Sequence, residues 1–86
     1  MNEVILSSSF DRQLRKLIKN SPSLKKKASK VLKILVEDVH QPSLRLHKLS
    51  GESNWSISVT DDIRMIIQFE NERVFCLRIG THDEVY

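Results

Sequence analysis

The chain has 86 residues, 40% of them hydrophobic and 29% charged, which suits one small globular domain and excludes a disordered or low-complexity chain. Fourteen basic against eleven acidic residues give a net charge of +3, a mild bias toward polyanionic partners that does not choose one. A single cysteine excludes an internal disulfide, no apolar run reaches the length of a membrane span, and the N-terminus lacks a signal-peptide pattern, so a reducing, cytoplasmic setting is expected.

Val4-Ile5-Leu6 is a short apolar run and predicts a first strand. Ser7, Ser8 and Ser9 are each able to cap the helix that follows, in which Phe10, Leu14, Leu17 and Ile18 recur at helical spacing and Asp11 sits in the first turn. Asn20 ends that element. Ser21-Pro22 starts a second helix with a capping hydroxyl and a proline at its first position. Its stripe is Leu24, Ala28, Val31, Leu32, Leu35 and Val39, with Lys25, Lys26, Lys30 and Lys33 on the other face. Pro42 closes it near His40. The very short link predicts an antiparallel helical hairpin.

Residues 43–54 are expected to form a loop carrying Arg45, His47, Lys48 and Gly51. Trp55, Ile57 and Val59 then alternate with Ser56, Ser58 and Thr60, the pattern of a half-buried strand. After a turn at residues 60–62, Ile63, Met65, Ile67 and Phe69 predict the core face of another strand. Val74–Ile79 is the last, with Phe75, Leu77 and Ile79 as its bulkier face. If odd residues of both strands face the core, a three-residue loop, residues 71–73, sets Phe69 opposite Phe75 and Ile67 opposite Leu77. Arg64 and Arg78 then emerge together on the opposite face, beside Ser56 and Ser58. A two-residue loop without a bulge would split them. The fold class is α+β: a single domain over residues 1–86 of order β-α-α-β-β-β, with a small antiparallel sheet and both helices on one face.

The chemistry-bearing residues cluster late in the chain. Arg64 interrupts an apolar strand; it is either a water-facing side chain or a clamp for phosphate, whose oxygens guanidinium donors fit. Arg78 has the same parity and the same two readings. His82 is a surface histidine or a general acid or base. Tyr86 stacks on a nucleobase or packs on the sheet edge. His47 belongs to a solvated loop or supplies a second proton-transfer group. Asp62 orients a histidine or caps the start of a strand. His40, at a helix end, and Cys76, in an apolar run, are expected to be structural. The lysine run at residues 25–27 is a solvated face or a weak attractor of polyanions. No recognisable metal spacing, phosphate-binding glycine loop or serine elbow is present.

The stretch Leu46-His47-Lys48-Leu49-Ser50-Gly51, then Trp55, then residues 62–67 (Asp-Ile-Arg-Met-Ile-Ile), then Arg78-Ile79-Gly80-Thr81-His82-Asp83-Glu84-Val85-Tyr86, resembles the RelE/ParE toxin superfamily. The likeness is greatest to its YafQ-type branch, whose chains carry a similar Gly-Thr-His near the C-terminus. It covers essentially the whole chain and is most specific from Leu46 onward. It implies the toxin of a type II toxin–antitoxin system, a ribosome-dependent endoribonuclease (mRNA interferase) that needs no metal or other cofactor. It places His47, Asp62, His82 and Tyr86 on functional positions of YafQ-type or RelE-type chains. Arg64 falls on the strand arginine of RelE-like members and Arg78 on the arginine preceding the C-terminal histidine. Arg45 and Lys48 of the basic loop are the implied substrate-binding residues. There are departures: the YafQ branch has a further histidine before Asp62, where Thr60 and Asp61 stand here, and the lysine-rich catalytic set of RelE is represented by Lys48 alone.

The implied reaction is attack of an RNA 2′-OH on the adjacent phosphate. His47 and His82 form the acid/base pair in either order, Arg64 and Arg78 stabilise the transition state, Asp62 orients, and Tyr86 stacks. The implied partners are a cognate antitoxin and mRNA on the ribosome, with no membrane. Two alternatives stand beside it: a ParE-like gyrase inhibitor without RNase activity, and a non-enzymatic nucleic-acid- or protein-binding domain.

Overall fold

The computed structural model describes all residues except 50 and 52, so Ser50 of the resemblance stretch lies outside the description. The elements are β1 (Glu3–Leu6), α1 (Ser8–Ile18), α2 (Pro22–Glu37), a 3-10 turn (Pro42–Leu44), β2 (His47–Lys48), β3 (Trp55–Ser58), β4 (Ile63–Glu70), β5 (Arg73–Thr81) and α3 (His82–Val85). Both main helices start where their capping serines stand. Ser7 Oγ accepts from Phe10 N at 2.9 Å and Ser21 Oγ accepts from Leu24 N at 3.3 Å, each cap contributing about 1 kcal/mol. Helix α2 stops at Glu37, short of the expected end near His40, because Asp38 is extended at φ −165°. The Asp38 carboxylate accepts from His40 N, a local bond that competes with another helical turn. Val39 is nevertheless core, 6% exposed.

The fold class is α+β as expected, but the sheet is mixed, with strand order β1-β5-β4-β3-β2. Strand β1 runs parallel to β5, and the other pairs are antiparallel. The expected all-antiparallel sheet failed on one count. Each connection reverses the chain, and the loop assigned to residues 43–54 conceals the two-residue strand β2, which adds one reversal. With β2 included, β1 and β5 point the same way.

The β4–β5 hairpin also departs from expectation. Glu70 pairs with Arg73, so the loop is the two-residue turn at residues 71–72, with Asn71 at φ 57°. Asparagine tolerates this left-handed region better than other side chains. The register then pairs Phe69 with Val74 and Ile67 with Cys76, not with Phe75 and Leu77. Leu77 is left over as a bulge, after which Ile66 pairs with Arg78 and Met65 with Ile79. Val74, Cys76 and Ile79 are therefore the core residues of β5, at 1%, 0% and 2% exposure. The core fills the space between the helices and this face of the sheet, with Phe10, Leu35, Leu44, Ile57, Met65 and Ile67 among its fully buried side chains.

Helix α1 secures the bulge. Strand β1 pairs only as far as Cys76. Beyond it Ser7 Oγ donates to Leu77 O at 2.9 Å, and Gln13 Oε1 accepts from Ile79 N at 3.0 Å. The backbone groups that a bulge leaves without ladder partners are thereby satisfied. The bulge shifts the parity of β5 by one residue, and that shift decides which way Arg78 faces.

Candidate functional site

Cross-strand partners in an antiparallel pair share a face. The register therefore draws one row across four strands on the face away from the helices: His47 (β2), Ser56 (β3), Ile66 (β4) and Arg78 (β5). The next row is Ser58, Arg64 and Gly80. Arg64 and Arg78 are diagonal neighbours on adjacent strands of that face, about 7–8 Å apart at their backbones. They share a face as expected, by way of a two-residue turn plus a bulge rather than a three-residue loop.

Each arginine is half-buried and held through its Nε. Arg64 Nε donates to Ser56 Oγ at 2.6 Å, and Arg78 Nε donates to the Val85 carbonyl oxygen at 3.2 Å. No carboxylate pairs with either among the described residues. The Nη groups remain as free donors. Two guanidinium groups side by side without counter-charge repel each other and favour an anion between them.

Residues 82–85 form the single turn α3, which folds back over the arginine face. Thr81 and Glu84 make a capping box: Glu84 Oε1 accepts from Thr81 N at 2.8 Å and Thr81 Oγ1 accepts from Glu84 N at 3.4 Å. The Thr81 backbone amide, then its hydroxyl, holds the Glu84 carboxyl below its ordinary value. Val85 is 3% exposed, which anchors the turn. A side chain at Gly80 would meet Glu84 and Val85, so the absence of a Cβ there admits the turn against the strand. Ser56, Ile66 and Val85 are all buried yet outside the main core cluster; the face is a floor with its own small buried layer.

His82 and Tyr86 are exposed and stand together one helical turn apart. Their rings meet edge-on with centroids 4.2 Å apart, and His82 Nδ1 lies 3.6 Å from Asp83 Oδ1. The structure thus gathers Arg64, Arg78, His82 and Tyr86 at one end of the face. His47 is exposed at the far end of the four-strand row, three strand spacings or about 14 Å from Arg78 at the backbone. It makes no contact with His82.

Asp62 and Arg45 form a separate group. They line an open pocket of about 400 Å³ with Lys27, Ser43, Ser58 and Thr60. Asp62 is fixed through its backbone, its N–H donating to Thr60 Oγ1 at 3.1 Å. Arg45 follows the 3-10 turn with φ 51°. Lys48 pairs with Trp55 in register, and its Nζ sits 5.9 Å over the Trp55 ring. It therefore belongs to the helix-side face, away from His47. His40, expected to be structural, packs edge-on against Phe69 at 5.7 Å. Cys76 is buried, and burial pushes its thiol up to about 12.

Three contributors were not singled out from sequence. Ser56 holds Arg64, Gly80 admits the C-terminal turn, and Glu84 closes its cap. The last was legible, since Thr-x-x-Glu is a capping-box signature. The other two depend on cross-strand register, which no local pattern reveals.

No family model matches the chain, and no curated protein matches it. Solved structures do. A metal-bound toxin from Helicobacter pylori is 24% identical with a TM-score of 0.77, covering 100% of both chains. A single-site variant of YafQ from E. coli is 16% identical with a TM-score of 0.83, covering 100% of this chain and 99% of that one. The E. coli DinJ–YafQ complex matches at 18% identity and a TM-score of 0.79, with the same coverage. The chain has the fold of these toxins, as the resemblance implied.

Proposed function

We propose that the chain is the toxin of a type II toxin–antitoxin pair and that it cleaves mRNA on the ribosome. The observation that carries this reading is the pair Arg64 and Arg78, uncompensated on one sheet face with His82 and Tyr86 at its rim. The fold shared with YafQ supports the toxin class. The complex of YafQ with DinJ supports a cognate protein partner.

In this reaction the RNA 2′-oxygen attacks the adjacent phosphorus, and the bond to the 5′-oxygen of the next nucleotide breaks. A base takes the 2′-hydroxyl proton and an acid protonates the departing 5′-oxygen. The Nη donors of Arg64 and Arg78 meet the negative charge that builds on the phosphorane, a contribution of about 10²–10³ in rate for one such donor. His82 moves one of the two protons beside the arginines, and Tyr86 packs against it and offers its ring to a base. His47, three strands away from Arg78, is beyond hydrogen-bond reach of that phosphate; it contacts the RNA strand laid along the row, and the second proton is exchanged with water. Asp62 and Arg45 meet the strand at the pocket beyond Ser58.

Primer extension on mRNA in a translating extract tests this. Wild-type protein is expected to give new 5′-ends, and His82→Ala and Arg64→Ala to lose them while keeping the fold. Inhibition of DNA supercoiling without mRNA cleavage would replace this reading with the gyrase-inhibitor alternative.

A further inference from the structure

Ser56 is the only buried polar side chain among the described residues, at 0% exposure. A hydroxyl removed from water is unfavourable unless bonded, and alanine would fill almost the same volume without that penalty. Its central strand β3 is flanked by β2 and β4, and its row neighbour Ile66 is also 0% exposed. Nothing in the packing of this layer calls for an oxygen. What the oxygen does is accept the 2.6 Å bond from Arg64 Nε.

We infer that Ser56 is a positioning residue for Arg64, and that the site aims its two arginines by one device, an Nε bond to the protein that leaves both Nη groups for the substrate phosphate. For Arg78 the acceptor is the Val85 carbonyl, a backbone atom delivered by α3. For Arg64 it is the Ser56 hydroxyl. A guanidinium is planar, so fixing Nε fixes the plane and the direction of both Nη donors. Without the hydroxyl, Arg64 keeps its charge but loses its aim. Ground-state attraction for RNA then survives, and the interaction made only in the transition state weakens.

This inference rests on the ribonuclease reading, and its test separates the two. The measurements are single-turnover mRNA cleavage on programmed ribosomes and hydrogen exchange of the Arg64 Nε proton by nitrogen-15 NMR. Ser56→Ala, Ser56→Thr and Arg64→Ala are compared with wild type, all checked for a retained melting transition. The expected result for Ser56→Ala is a cleavage rate lowered roughly 10- to 100-fold with KM little changed, as for a lost hydrogen bond to a charged group. Its Arg64 Nε proton exchanges freely, and Ser56→Thr restores both readouts. Wild-type cleavage by Ser56→Ala, alongside loss of cleavage by Arg64→Ala, overturns the inference and leaves the ribonuclease reading standing. Absence of cleavage by the wild-type protein overturns the ribonuclease reading instead. Ser56 is then judged by the Arg64 Nε proton alone: free exchange in Ser56→Ala with protection regained in Ser56→Thr supports positioning, and a proton equally protected in Ser56→Ala and wild type refutes it.

Discussion

Replacing Gly80 by alanine tests whether the C-terminal turn organises the arginine face. A Cβ at Gly80 would lie 3.0 Å from Glu84 Oε1, 3.1 Å from Glu84 Cβ and 3.4 Å from Val85 Cγ1. The Oε1 can swing away, but only by leaving the Thr81 amide it caps. The Glu84 Cβ is fixed to the backbone of α3, so the turn itself must move by a few tenths of an ångström. Overpacking of this kind costs about 1–3 kcal/mol. Alanine recovers about 0.5–1 kcal/mol of the backbone entropy that glycine loses in a strand. That gain acts through the unfolded chain and not on docking, so about 1–3 kcal/mol stands against docking of α3, a factor of roughly 5–150 in that equilibrium. A four-residue turn has no stability of its own, so the loss falls on its docking and not on the five-stranded sheet. The assay is amide exchange at Glu84 and Tyr86, whose N–H groups donate to Thr81 Oγ1 and His82 O, together with mRNA cleavage. Both are expected to show loss, exchange speeding up and cleavage falling as Arg78 is left without its carbonyl acceptor, while the melting temperature of the domain changes little. Unchanged exchange at both amides would falsify the close-approach argument. Accelerated exchange with wild-type cleavage would show that Arg78 does not depend on the turn.

Three further outcomes are expected. Glu84 has a lowered pKa in the folded protein because it accepts from Thr81, so its cap is fully present above the ordinary value of 4.5 and is lost as pH falls through the folded value; protection of the α3 amides, taken as exchange relative to the intrinsic rate at each pH, should fall on acidification below about pH 4.5, and Glu84→Gln should remove most of that dependence. A Glu84→Gln profile identical to wild type would assign the effect elsewhere. With its thiol pushed up to about 12 by burial, Cys76 should resist an aromatic disulfide reagent at pH 8 and react at once in denaturant, whereas rapid labelling of the native protein would contradict its burial. Asn71→Val puts a β-branched residue at φ 57° and should lower stability by about 1–2 kcal/mol in urea unfolding, whereas Asn71→Gly should be neutral or slightly stabilising; equal stabilities for the two would refute the left-handed turn.

Local chemistry was legible where it acts locally. Ser7 and Ser21 cap their helices from the positions where the sequence put them, because a cap needs only its own next three residues. The stripe of α2 was legible because one face of a helix must be apolar to pack. The loop around His47 was not: a two-residue strand has no periodicity to detect, and it exists because β3 offers it an edge. The Phe75 and Leu77 face was misassigned because the run Val74-Phe75-Cys76-Leu77 within β5 is uniformly apolar and carries no alternation from which to fix parity. Lys48 was grouped with His47 by sequence adjacency, although neighbours on a strand point to opposite faces.

The sequence by itself determined the fold class, the two helices and their caps, the three long strands, and the identity of the residues able to bind a phosphate and move a proton. These follow from periodicity and side-chain chemistry, which are properties of short segments. Only the tertiary structure decided that Arg64 and Arg78 lie side by side, since their common face depends on a bulge at Leu77 that is stabilised by Ser7 and Gln13, more than sixty residues away in the chain. It also decided that a buried serine and a backbone carbonyl aim the two guanidinium groups, and that Val85 turns the C-terminus back over them. Register and long-range hydrogen bonding couple residues distant in sequence, and no window along the chain contains both partners.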